Sequence, residues 1–171
     1  MMENIAKERR RKFTFTRVGT FILAVGLCFI AAGIGSLFTF ASVSTWYPKL
    51  IKPPFAPPSW VFGPAWTILY LLMGISLFLV LEQGWERTEV RKGALLFGVQ
   101  LALNVAWSFL FFGLLSPLAG LAGIVLLWIA ILATILRFRE ISRPAAFLLI
   151  PYILWVSFAM ILNAAIFILN P

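Results

Sequence analysis

Hydrophobic residues along the chain gather into five long runs, at about 18–41, 62–81, 93–115, 118–136 and 145–169, separated by short polar breaks. Each run comes close to the roughly 20 residues an α-helix needs to cross a hydrocarbon layer about 30 Å thick. In lipid the backbone must satisfy its own polar groups, and runs of this length do so as helices. Alternating strands of about ten residues, the mark of a membrane β-barrel, are not seen. The pattern predicts an all-α membrane protein: a five-transmembrane-helix bundle at 18–171 behind a basic tail at 1–17. The first run is too long for a signal-peptide core and no small-residue cleavage site follows it, so it reads as the first spanning helix.

Composition agrees. The chain is 62% hydrophobic and 12% charged over 171 residues, where a soluble domain is about half apolar and about a quarter charged. The net charge of +8 matters less than its placement. Of the 14 Lys and Arg, all but Lys49 and Lys52 fall in the tail, the second connection or the fourth connection. In a five-helix arrangement these three segments share one side, so the positive-inside rule predicts a cytoplasmic N-terminus and an outside C-terminus. An even number of spans would scramble that asymmetry. The cations sit at helix ends, where anionic lipid accounts for them better than nucleic acid does. A prokaryotic cell membrane is the expected setting.

Several chemistries are excluded. There is no histidine and no aspartate, and the six acids lie at helix ends or in connections. Histidine-ligated haem, zinc hydrolysis and His-based triads therefore have no residues to work with. Ion-coupled transport usually needs ionisable groups within the spans, and there are none away from their ends. No phosphate-binding glycine loop is present. The lone cysteine, Cys28, reads as a small buried hydrophobe. No metal site and no required cofactor are expected. What remains is aromatic and amide chemistry, suited to a large, flat, apolar ligand.

The third helix divides into two faces. Ala94, Gly98, Ala102 and Ala106 recur every four residues, a stripe that lets another helix approach closely, within the chain or between subunits of a homodimer. At roughly 100° per residue, Gln100, Asn104 and Trp107 lie on the other side, toward the bundle interior. There they serve a ligand or hold the helices together. The second helix begins near Pro64, tolerated in a first turn, and carries Trp66 and Tyr70 on one face. The fifth presents Tyr152, Trp155, Ala159 and Asn163 on one stripe after Pro151. Between the first two helices lies the one long outer connection, about 42–61. Its Pro53-Pro54 and Pro57-Pro58 pairs fix the backbone, and Trp46, Tyr47, Phe55 and Trp60 give it an apolar underside. It reads as a rigid lid. Lys49 and Lys52 are placed to meet an anionic ligand group or lipid headgroups.

Four motifs, in order, carry a resemblance: W-Y-x-x-L-x-K-P-x-x-x-P-P (Trp46 to Pro58), W-x-x-x-Y (Trp66, Tyr70), Q-x-x-x-N-x-x-W-S-x-x-F-F (Gln100 to Phe112) and P-Y-x-x-W-x-x-F-A-x-x-x-N (Pro151 to Asn163). Together they resemble the TspO/MBR family of tryptophan-rich sensory and translocator proteins, also called peripheral benzodiazepine receptors, over about residues 18–170. The resemblance implies a five-helix bundle, often a homodimer, that binds protoporphyrin IX, haem, synthetic isoquinoline carboxamides and benzodiazepines, and in some members cholesterol. Carried over residue by residue, its pocket would comprise Trp46, Pro53, Trp66, Tyr70, Gln100, Asn104, Trp107, Tyr152, Trp155 and Ala159. It also implies, for some bacterial members, light-dependent porphyrin degradation, with Trp66 and Trp155 as the matching tryptophans. Facilitated passage of porphyrin, sterol or lipid along the helix faces is an alternative function. The sterol motif of mammalian members is missing from the fifth helix, since no Lys or Arg follows Arg143.

Overall fold

A computed structural model describes residues 2–170, with side chains from Arg17 onward. The cations of the tail, Lys7 to Lys12, lie outside the described side chains. The elements are α1 (Met2–Val43), α2 (Phe62–Leu81), α3 (Thr88–Ser108), α4 (Pro117–Ile141), α5 (Arg143–Leu148) and α6 (Ile150–Leu169). Five stretches are long and apolar enough to cross a membrane: Arg17–Val43, Ser59–Leu81, Thr88–Gly113, Pro117–Ile141 and Arg143–Leu169. No strand occurs among the described residues. The chain is a five-span helical membrane bundle.

The first helix begins at Met2 rather than 18, running on through the basic tail, and three further boundaries differ from the hydrophobic pattern, each for a local reason. The third span starts at Thr88 rather than 93, because Glu89 in the first turn suits the positive end of the helix dipole. The fourth runs on to Ile141, its last turn held by Arg139 at the end that favours cations and by an ion pair between Arg137 and Glu140. The fifth is two helices rather than one. It breaks at Leu149, two residues before Pro151, whose ring lacks the N–H a continuous helix would use.

Around the bundle, α1 packs on α2 and α3, α4 packs on α3 and α6, and α5 packs on α2 and α4. Near the basic ends the interior is closely packed. Phe97 of α3 stacks on Phe138 of α4, with centroids 5.9 Å apart. Met73, Val80, Val90 and Ile131 are fully buried, and Ser76 Oγ donates to Ala145 O at 2.7 Å, joining α2 to α5. Arg17 of α1 pairs with Glu82 at the end of α2. The contact that sets the α1–α2 crossing is Gly74: a Cβ there would stand 2.7 Å from Val25 Cα. Beyond that crossing α1 leans toward α3. Gly35 approaches Ser108, where a Cβ would lie 3.2 Å from Oγ, and Ser42 Oγ donates to Phe112 O at 2.7 Å. The large side chains left outside, among them Leu37, Phe40, Leu95 and Ile168, are those a lipid solvent accepts.

Gly98 and Ala102 are exposed, and Ala94 and Ala106 half-buried. A Cβ on Gly98 would meet nothing within 4 Å. The centre of the stripe therefore faces away from the chain's own bundle. Gln100, Asn104 and Trp107, on the opposite side of the same helix, are buried.

Candidate functional site

Because α1 leans away from α2, a cavity of about 500 Å³ opens between α1, α2, α3 and α6 on the side of the proline-rich connection. The end of α3 shapes its far wall. There the helix widens into one π turn, Phe109–Gly113, closed by Leu114 N–H donating to Phe109 O at 2.8 Å. Such turns are often found at functional sites. This one brings the consecutive rings of Phe111 and Phe112 to the same cavity. Leu115 follows with φ of 53°, and Ser116 then starts α4, its Oγ accepting from Ala119 N–H. Gly120 is what allows Phe111 its place, since a Cβ there would lie 2.6 Å from Phe111 Cδ2 and 2.9 Å from Asn163 Oδ1.

The inner end of the cavity is aromatic and polar. Trp66 faces Tyr70, Trp107 and Tyr152 at centroid separations of 5.6, 6.3 and 6.3 Å. Trp107 stacks on Phe111 at 5.8 Å. Behind these rings Tyr70 Oη donates to Asn104 Oδ1 at 2.5 Å, and Asn104 Nδ2 donates to Tyr152 Oη at 3.0 Å. One amide thus ties α2, α3 and α6 together. Asn163 Nδ2 donates to Pro117 O at 2.8 Å, leaving its Oδ1 toward the Trp107 indole at 3.5 Å.

The predicted site residues divide by position. Trp66, Tyr70, Asn104, Trp107 and Ala159 line the cavity. Gln100 lies outside its wall, 1% exposed and with neither amide atom partnered. Tyr152 is fully buried behind Trp66. Trp155 sits behind Phe62, at 6.0 Å, its buried Nε1 unpartnered. Of the two candidate catalytic tryptophans, only Trp66 meets the cavity.

From the connection, the structure turns Tyr47 inward rather than Trp46 or Pro53. Tyr47 is 6% exposed, packs between Phe62 and Phe112, and lines the cavity, its hydroxyl buried without a partner. Burial raises the pKa of this phenol, which keeps it a neutral donor. Trp46 packs edge-on against Phe111 at 5.5 Å, and Pro53 is buried under the loop. Neither lysine reaches the cavity. Lys49 is exposed. Lys52 Nζ donates to Tyr47 O at 3.0 Å and sits 4.8 Å over the Tyr47 ring. Tyr47, Phe111 and Phe112 all belonged to the quoted motifs; Phe62 and Gly120 carried no sequence signal beyond residue type. No cluster of His, Cys, Asp or Glu able to hold a metal occurs among the described residues.

The TspO/MBR family profile matches residues 24–169. The chain belongs to the TspO/MBR family. It is 51% identical over 152 residues to the tryptophan-rich protein TspO of Chlorobaculum tepidum, covering 89% of this chain and 96% of that one. The corresponding protein of Archaeoglobus fulgidus is 48% identical, with 87% and 92% covered. The human translocator protein is 39% identical, with 84% and 83% covered. As a TspO/MBR protein with five apolar spans, it is a multi-pass membrane protein.

Proposed function

We propose that this TspO/MBR protein binds a porphyrin, with protoporphyrin IX as the type ligand, in the cavity between α1, α2, α3 and α6. The observation that carries the reading is the wall made by Trp66, Trp107 and Phe111, a run of rings tilted by 31° and 25° from one to the next. Offset stacking against such faces favours a broad planar π-system. The volume of about 500 Å³ lies within the range of small-molecule sites. Tyr47, Asn104 and Asn163 line the same cavity, but the Asn104 and Asn163 amides are held by protein partners and the Tyr47 hydroxyl is buried. The wall offers ring faces and no charged side chain, which suits a flat, largely apolar disc. Haem and other hydrophobic planar molecules fit the same description.

Ala159 is the small residue that leaves this space open on α6; it lines the cavity at 6% exposure. Ala159→Phe is expected to fill the cavity and remove porphyrin binding, read as loss of the bound-state absorbance band in a dark equilibrium titration. Undiminished affinity in that variant would place the ligand elsewhere.

A further inference from the structure

The cavity has two boundaries through which a ligand could pass, and they are built differently. The roof, made by the proline-rich connection, is tied down at several points. Asn170, at the end of α6, clamps it with one amide: Ile51 N–H donates to Asn170 Oδ1 at 2.9 Å, and Asn170 Nδ2 donates to Ile51 O at 2.9 Å. The same Nδ2 also lies 2.8 Å from Ile166 O. Lys52 holds the Tyr47–Pro48 turn through both carbonyls, at 3.0 and 3.4 Å. Trp46, Tyr47 and Phe55 press their rings onto Phe111, Phe112 and Phe158. Opening this roof would break the Asn170 clamp and these ring contacts together, while the Lys52 bonds stiffen the connection itself.

The side between α1 and α2 has no such ties. Its margins are Phe29, Gly33 and Ser36 on α1 and Gly63 and Thr67 on α2, all of which line the cavity and are exposed on the outside of the bundle. Each hydroxyl there donates to its own helix: Ser36 to Gly33 O at 2.7 Å, Thr39 to Gly35 O at 3.1 Å and Thr67 to Gly63 O at 2.9 Å. Among the described residues, no hydrogen bond or ion pair joins α1 to α2 along this stretch. Added Cβ atoms at Gly33 and Gly63 would meet nothing within 4 Å. The helices touch at Gly74 and diverge toward the loop side, so the gap is a slot that faces lipid. Inside it the Trp66 ring and Tyr47 line the cavity.

We propose that the ligand passes edge-on between α1 and α2, to and from the membrane leaflet on the loop side, and that the proline-rich connection is a fixed roof. The ligand class is a flat amphiphile dissolved in lipid, and the proposal rests on the binding reading given above. A slot margined by glycine admits a thin planar molecule while a bulky one is stopped. Self-satisfied hydroxyls leave no orphan donor in the lipid when the slot is empty.

The test is the kinetics of protoporphyrin IX exchange with the full chain in lipid nanodiscs, measured in the dark by stopped-flow tryptophan quenching. Gly33→Leu with Gly63→Leu narrows the slot. Association and dissociation are both expected to slow by roughly tenfold, a joint change that weakened contacts would not give, since those speed dissociation. Asn170→Ala frees the roof and is expected to leave both rates at the wild-type value. Ser36→Phe with Thr67→Phe narrows the same slot from other positions and serves if the leucine pair fails to fold by circular dichroism. Faster exchange in Asn170→Ala, with wild-type rates in the narrowed variants, would overturn the lateral route and make the roof the door. Absence of saturable binding by the wild type would overturn the porphyrin reading itself, and the route with it.

Discussion

Gly74→Val is expected to destabilise the bundle by about 3 kcal/mol, the cost of forcing extra methyl groups into a closed contact. The Cβ alone would stand 2.7 Å from Val25 Cα and 2.9 Å from Val25 Cγ2. A rotamer change relieves the second clash but not the first, which is with backbone. The helices must therefore separate at the point that sets their crossing. In lipid this matters more than elsewhere, because helix association rests on close packing rather than on expelling water. Thermal unfolding in detergent reads the loss. Gly98→Ala is the matched comparison: it also replaces a glycine within a helix, but into open space, and stability should stay within about 0.5 kcal/mol. Equal melting temperatures for the two variants would mean that the α1–α2 contact is not closed as described.

Trp66→Ala is expected to weaken porphyrin binding by about 2 kcal/mol, roughly thirtyfold, whereas Trp155→Ala should cost less than about threefold, within rim-like effects. The sequence treats the two tryptophans alike, and the resemblance pairs them. The geometry separates them. Trp66 is part of the wall, in ring contact with Tyr70, Trp107 and Tyr152. Trp155 reaches the ligand space only through Phe62. Equilibrium titration of both variants, with helical content as a control on folding, distinguishes the cases. Equal losses would show that Phe62 swings aside on binding and exposes the unpartnered Trp155 indole.

The number of spans was legible because hydrophobic run length is a direct consequence of bilayer thickness. The two faces of α3 were legible too, since a helix repeats at a fixed angle: the face of Gln100, Asn104 and Trp107 is buried and the centre of the small-residue stripe is exposed. The roof was harder. Prolines announce that the connection is stiff, but not which of two adjacent rings turns inward. Packing between Phe62 and Phe112 gives that place to Tyr47 rather than Trp46. Lys52 was legible as a cation near the mouth, yet its ammonium turns back to carbonyls of its own loop, which no spacing rule encodes. The π turn at Phe109–Gly113 and the need for glycine at 120 arise from tertiary contact between α3, α4 and α6. Such contacts leave little trace in local pattern.

The most direct test of the binding site is a dark titration of the purified wild-type protein with protoporphyrin IX, following tryptophan emission. Trp66 and Trp107 line the cavity, and Trp46 and Trp155 each touch a lining ring, so occupancy there should be reported strongly. Saturable quenching with one porphyrin per chain is the predicted result. Quenching that rises linearly without saturating would mean simple partitioning into the detergent phase, and would contradict a porphyrin site between α1, α2, α3 and α6.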